Sequence, residues 1–363
     1  MSGADPIARV AQNDLSILGT GIALPGPAVT TDELIDRLER GFGLQHGRLV
    51  RGLARHLGVA SRHLVRDFTA RRERPRAGHR NPELASMALR GALDRAGLRV
   101  SDLGYLLAHT ATPARPLPAN VSEVAAFLGY RGPYAEFRQA CTGFASALQF
   151  ASALLAHRDA APIAIVGSET GSVYFDPVNA LGDRSQWVNL LQMGDGAAAV
   201  ILGPAQSGAV SLHSAFVGQI GADSAGLSQA GGGSDQPWID DHVLEFEHDF
   251  RGVALRGPEL LDAGYAVLAR RGDDAIASVG KVVPHQANGR MGAWLSRRWQ
   301  MPLSKFFGNG QHVGNLGSAS IWAALDVFLQ SRELDPGEEA WFLGAEATQY
   351  TFGGFVVRTP LPE

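Results

Sequence analysis

Short apolar strands alternate with helical patterns along this chain, and the alternation runs through twice. In the first half, strands are expected at 15–24, 103–108, 163–167 and after the glycine turn in MGDGAAAVILG (193–203). Helices are expected at 31–38, 81–96 and 121–128 and from residue 142 onward, with Thr31 and Asp32 near one cap and Pro82 in the first turn of another. In the second half, the strand VSLHSAF is followed by the polar, glycine-rich LSQAGGGSDQ and an acidic stretch with Asp240, Asp241, Glu245, Glu247 and Asp249. A helix at about 257–271, a strand at 281–283, the helical runs GAWLSRRW and IWAALDVFLQ, and two closing strands complete it. This pattern predicts two α/β units, 1–205 and 206–363, each with a mainly parallel sheet. At 45% apolar and 19% charged residues, the composition supplies a sizeable core.

Several classes are disfavoured. A formal net charge of −4 argues against a general nucleic-acid binder. No apolar signal core opens the chain, and no run is long and apolar enough for a membrane span, so a cytoplasmic protein without membrane contact is expected. One cysteine and no HExxH or CxxC spacing leave a metal site unsupported. Between Arg48 and Arg80 ten arginines face two acids, Asp67 and Glu73. A solvated basic face and a landing site for phosphates both fit that run.

The single cysteine, Cys141, sits in YAEFRQACTGFASALQFASALL (134–155), where a short buried strand gives way to a helix. Phe144, Leu148, Ala151 and Leu155 recur there at helical spacing. Backbone N–H groups and the positive end of the helix dipole would favour a thiolate, and hence a nucleophile. A small buried hydrophobe is the other reading. His285, in PHQAN, ends an apolar strand, where clefts of α/β folds open. Asn315, in GNLGSAS, precedes a helix, where a cap or turn role is the alternative.

QACTGFASAL, VVPHQANGRM and GNLGSASI together resemble the three active-site motifs of the thiolase-fold condensing enzymes, most of all the ketoacyl-ACP synthase III branch. GTGIALPG, GVASRHL, GDGAAAVIL and GGFVV follow in that family's order. The resemblance implies a five-layered αβαβα fold of two similar halves, usually a homodimer. The first half would carry the nucleophile, the second the histidine and asparagine. Cys141 would take an acyl group from acyl-CoA or an acyl-carrier protein. His285 and Asn315 would bind the carbonyl of a malonyl-type thioester, whose decarboxylation yields the attacking enolate. No permanently bound cofactor is implied; the thioesters of CoA or of carrier-protein phosphopantetheine are substrates.

The sequence departs from that family in three places. The stretch HGRLVRGLARHLGVASRHL lacks the tryptophan that stacks on the adenine of CoA in fatty-acid initiators. Trp187 is a substitute platform, a carrier-protein donor gains, and Arg55, Arg62, Arg66 and Asn288 join Trp187 as candidate donor contacts. The family's FGGGF segment is EATQY here (346–350), which places the N–H of Thr348 beside that of Cys141 in the acyl oxyanion hole. In HTATPARPLPAN, a loop that reaches a neighbour's acyl pocket in this family, Leu117 stands where acetyl-taking initiators often have phenylalanine. Phe144 is the other acyl-pocket candidate. No glutamate lies at that loop position, against a head-to-head condensing relative, and Glu123 is expected to face solvent. The leading expectation is a condensing enzyme of specialised lipid, polyketide or cofactor biosynthesis. Acyl transfer to a hydroxyl or amine, and a silent subunit of a heterodimer, are the alternatives.

Overall fold

The computed structural model describes residues 7–44, 47–157, 159–183, 186–221, 225–229, 231–236 and 246–361; Asp240, Asp241 and Glu245 of the acidic stretch lie outside them. Among the described residues, a ten-stranded sheet runs in the order Val279–Pro284, Glu339–Glu346, Thr351–Arg358, Ser211–Gln219, Leu15–Ala23, Gly196–Pro204, Ile163–Glu169, Tyr105–His109 and Tyr134–Phe137. Ile7–Val10 lies beside Ser211–Gln219, so the first strand of the chain pairs within the second half. Two five-stranded blocks meet at Leu15–Leu212 and Ser16–Ser211.

Side-chain alternation sorts these blocks into layers. Leu107, Ile165, Ala198 and Val200 face one core, whereas their neighbours Leu106, Ala164, Ala197 and Ala199 face another. In the second block, Val283, Phe342 and Phe355 share the first of these cores, while Val282, Trp341 and Val356 look the other way. The shared core holds the helices Gly143–Leu154 and Ser320–Ser331. Asn81–Ala96 and Asn120–Leu128 cover the outer face of the first block; Phe250–Ala269 and Met291–Trp299 cover that of the second. Helix, sheet, helix, sheet, helix is the result, because strands buried on both faces need a helical layer on each.

The expected mainly parallel sheets are mixed. Tyr105–His109 runs parallel to both its neighbours and Val279–Pro284 parallel to Glu339–Glu346, but the pairs about Gly196–Pro204 and Thr351–Arg358 are antiparallel. Glu339–Glu346 and Thr351–Arg358 are joined by a short turn, and such a connection reverses the strand direction. Gly19 and Gly21 keep the helix Asn81–Ala96 close to the strand beneath it. A Cβ at either would lie within 2.3 Å of the carbonyl oxygen of Ala92 or Ala88.

Residues 171–191 contain the short helices Asn179–Gly182 and Gln186–Gln192. Trp187, Leu190 and Leu191 bury one face of the latter against Leu34, Ile35 and Val50. The second-half helix starts at Phe250 rather than near 257, because Asp249 caps it by accepting the Gly252 N–H at 2.9 Å. Gly194 serves a close approach rather than a tight turn: a Cβ there would meet the Val313 carbonyl oxygen at 2.1 Å. Among the described residues no helix is long and apolar enough to cross a membrane.

Candidate active site

Cys141, His285 and Asn315 line one cavity of about 850 Å³. Each stands just past a structural boundary. Cys141 precedes the helix Gly143–Leu154, His285 follows the strand Val279–Pro284, and Asn315 lies in the turn before Ser320–Ser331. His285 continues the strand pairing by donating its N–H to the Leu343 carbonyl at 2.6 Å. Burial lowers its pKa to about 4, so the imidazole is neutral near pH 7.

Asn315 is fixed at both ends of its backbone. Its N–H reaches Gln192 at 2.7 Å and its carbonyl accepts the Gly194 N–H at 2.9 Å. Its side-chain Oδ1 accepts the Gly317 N–H at 2.9 Å and the Ser320 hydroxyl at 3.2 Å. With the oxygen so occupied, the amide nitrogen is the end left to donate.

The cysteine turn is held from the other half of the chain. Glu346, buried at the end of Glu339–Glu346, accepts the Ala140 N–H at 3.2 Å, the Thr142 N–H at 2.8 Å and the Thr142 hydroxyl at 2.7 Å. It also accepts the hydroxyl of Thr348. Glu169, at the end of Ile163–Glu169, accepts the Ala111 N–H at 2.9 Å, and the hydroxyls of Thr112 and Ser318 complete its shell. Burial pushes the Glu169 carboxyl up. Burial is also the largest influence on Cys141, with Glu346 and Glu169 adding to it, and the thiol is held well above its ordinary value. The expectation that the helix end would favour a thiolate is therefore corrected: desolvation and two carboxylates outweigh a dipole effect worth about 1 kcal/mol.

Glu169 and Glu346 escaped the sequence reading. The signal was present, since Gly167-Ser168-Glu169 and Gly344-Ala345-Glu346 repeat Gly-x-Glu at corresponding strand ends. The glycines admit the central turns: a Cβ at Gly167 would lie 2.2 Å from the Ser318 carbonyl oxygen, and one at Gly344 would lie 2.4 Å from the Phe144 ring. His248 was also missed. It lines the cavity, sits 3.0 Å from Asn189 Oδ1, and is held by burial at a pKa of about 4.

The remaining candidates separate. Thr348, Arg55 and Asn288 line the cavity with the cysteine, and the exposed Arg55, Arg290 and Arg297 mark its open end. Arg62 is buried, donating to Thr31 Oγ1 at 2.8 Å and to the Leu191 carbonyl. Arg66 is buried against Glu73 and the carbonyls of Phe175 and Ala70. Both are structural cations, not donor contacts. Elsewhere in that run, Arg51, Arg76 and Arg80 pair with Asp32, Asp67 and Glu123, so it is not one open basic face. Trp187 is 1% exposed and offers no stacking platform. Phe144 is a core residue rather than an acyl-pocket wall, its ring 5.9 Å from Trp322 and 5.7 Å from Phe355. Leu117 is 84% exposed and does not line this cavity. Glu123, expected to face solvent, bridges Arg80 and Arg115.

The layers are those of the thiolase fold. Residues 135–219 match the family described as 3-oxoacyl-[acyl-carrier-protein (ACP)] synthase III, and residues 273–359 match its C-terminal family. A beta-ketoacyl-[acyl-carrier-protein] synthase III of Roseiflexus sp. (strain RS-1) is 30% identical over 81% of this chain and 89% of its own. One from Natranaerobius thermophilus is 28% identical over 88% of this chain and 91% of its own. The solved structure of AbyA1, a tetronic acid condensing enzyme, superposes with a TM-score of 0.82 at 27% identity, covering 95% of this chain and 99% of that one. The chain belongs to the 3-oxoacyl-ACP synthase III family of condensing enzymes, whose named members are acyltransferases.

Proposed function

We propose that this protein catalyses decarboxylative condensation through an acyl-cysteine. The observation that carries this reading is the meeting of Cys141, a neutral His285 and the Asn315 amide in one cavity with a cationic mouth. The division of labour follows the halves 1–205 and 206–363. Cys141 sulfur bonds the acyl carbon of a CoA or carrier-protein thioester, and the donor leaves as a thiol. A malonyl-type thioester then binds with its carbonyl facing His285 and Asn315. Loss of CO₂ moves an electron pair onto that carbonyl, and both neutral donors stabilise the developing charge. The resulting carbon bonds the acyl carbon, and the cysteine sulfur leaves as a thiolate that takes a proton from water.

The N–H groups of Cys141 and Thr348 are proposed to hold the acyl oxyanion. Arg55, Arg290 and Arg297 at the mouth suit the phosphate of a phosphopantetheine or the acidic face of a carrier protein. The similarity to a tetronic acid condensing enzyme favours a role in specialised metabolism. The exposed Leu117 is proposed to enter the acyl pocket of a second copy in a homodimer.

The test is intact-protein mass spectrometry after incubation with panels of acyl-CoAs and acyl-carrier proteins, paired with CO₂ release from carboxyl-labelled malonyl thioesters. Loading at Cys141 followed by labelled CO₂ is the expected result. Loading without CO₂, together with ester or amide formation on an added alcohol or amine, replaces condensation by acyl transfer.

A further inference from the structure

Glu346 occupies an unusual place for a carboxylate. It bonds the backbone immediately before and immediately after Cys141, and it bonds the side chain of Thr348. Ala140 and Thr142 thus have their N–H groups claimed, while among the described residues that of Cys141 has no acceptor beyond its own sulfur. Four donors converge on Glu346, which is the full capacity of a carboxylate. A group so occupied holds geometry.

We propose that Glu346 is the positioning residue of the nucleophile, clamping the Cys141 turn to the Thr348 turn so that the N–H groups of both remain available to the thioester carbonyl. This rests on the reading of Cys141 as the acyl carrier. Glu346 stands close enough for its negative charge to act against ionisation of the thiol. The other titratable groups about the cysteine are Glu169 on the opposite strand end, His285 across the cavity and His109, whose ring packs against Gly143; Tyr174 stands beyond Glu169. His109 and His285 are neutral near pH 7. His285, which lines the cavity with Cys141 as His109 does not, is the neutral imidazole that can take the thiol proton as sulfur bonds the acyl carbon and return it to the departing donor thiolate.

Cys141 is the single cysteine, so alkylation by iodoacetamide, read by intact mass, reports on this thiol alone. The experiment compares pH profiles of alkylation and rates of acyl loading for the wild type, Glu346→Gln, Glu346→Ala and Thr348→Val, with thermal unfolding as the check on folding. Wild-type alkylation should still be rising at about pH 9. Glu346→Gln should move the midpoint down by about one pH unit or more, and because its amide nitrogen cannot accept from the backbone N–H it faces, acyl loading should fall, though by less than in Glu346→Ala. Glu346→Ala should lose about 10²-fold in loading through misplacement of the turn. Thr348→Val cuts one tie without removing charge, so it should slow loading and leave the alkylation midpoint where it is. An unmoved midpoint in Glu346→Gln, or wild-type loading in Glu346→Ala, overturns the proposal. Should Glu346→Ala fail to fold, the Gln and Val profiles decide between the same two results. A wild type that alkylates but never accepts an acyl group overturns the acyl-carrier reading instead, and the alkylation profiles still judge the charge of Glu346.

Discussion

The helices Gly143–Leu154 and Ser320–Ser331 pack together through Phe144 and Trp322, and each is entered by a turn that lines the cavity. Before the first stands Cys141, before the second Asn315. Asn315 satisfies its own turn, spending Oδ1 on Gly317 and Ser320 and keeping its nitrogen for other work. Cys141 has one functional atom, and a nucleophile cannot also serve as a cap. Its turn is tied instead by a carboxylate from the other half, Glu346, while Glu169 reaches back to Ser318 in the opposite direction. One architecture therefore supports two roles, and the number of polar atoms on the central residue decides where the turn finds its partners.

The sharpest way to break this comparison is Cys141→Ala. Acyl loading and product formation should both disappear while the melting temperature stays near that of the wild type, since the turn is tied through Ala140 and Thr142 rather than through the thiol. Loading that persists, seen as an unchanged mass increment, removes the nucleophile from the first turn.

Asn315→Ala should act on the other turn alone. Loss of one donor to a developing oxyanion slows the step by about 10²–10³-fold. Labelled CO₂ release should fall by that factor while acyl loading on Cys141 survives, and equal losses in both would deny the separation of roles.

His285 lines the same cavity as the two turns, and its burial gives a stability signature. Its folded pKa of about 4 lies below the ordinary 6.5, so the unfolded chain binds its proton first as pH falls. The contribution to stability is whole above about pH 6.5 and is lost as pH drops toward 4. Between pH 7 and pH 4.5 this amounts to about 2 kcal/mol. His285→Gln should lower the melting temperature less than wild type over that interval; parallel slopes would show that the imidazole is not buried neutral.

The smallest effect belongs to the mouth. Arg297→Ala should raise the KM for a carrier-protein donor a few-fold at low salt, and the difference should shrink by roughly 0.5 M salt as the exposed charge is screened. A KM indifferent to both mutation and salt would leave donor recognition to the buried end of the cavity.

Much of the fold was legible because apolar periodicity and glycine punctuation are local properties. The helix Asn81–Ala96 was read with its boundaries, helped by Pro82 in its first turn. Cys141, His285 and Asn315 each lie beside a strand or helix signal that left other roles open, and it was the resemblance of their three motifs to a known family that singled them out together. Parallel pairing was overestimated, since the direction of a strand depends on its connection rather than on its own residues. Trp187 was misread because its face of Gln186–Gln192 is covered by Leu34 and Ile35, residues some 150 positions earlier.

The sequence by itself determined the rhythm of strands and helices, because that depends on residue type and on neighbours a few positions away, and its resemblance to a known family pointed to Cys141, His285 and Asn315 as the candidate site. Only the tertiary structure decided which charges serve the site. Arg62 and Arg66 belong to the same basic run as Arg55, yet the first two are walled in among carbonyls and Arg55 opens on the cavity. Glu346 reads as an ordinary strand-end acid until the fold carries it 204 residues back along the chain to the Thr142 N–H. The partners of a polar group are chosen by whatever burial places around it, and that environment is assembled from distant segments.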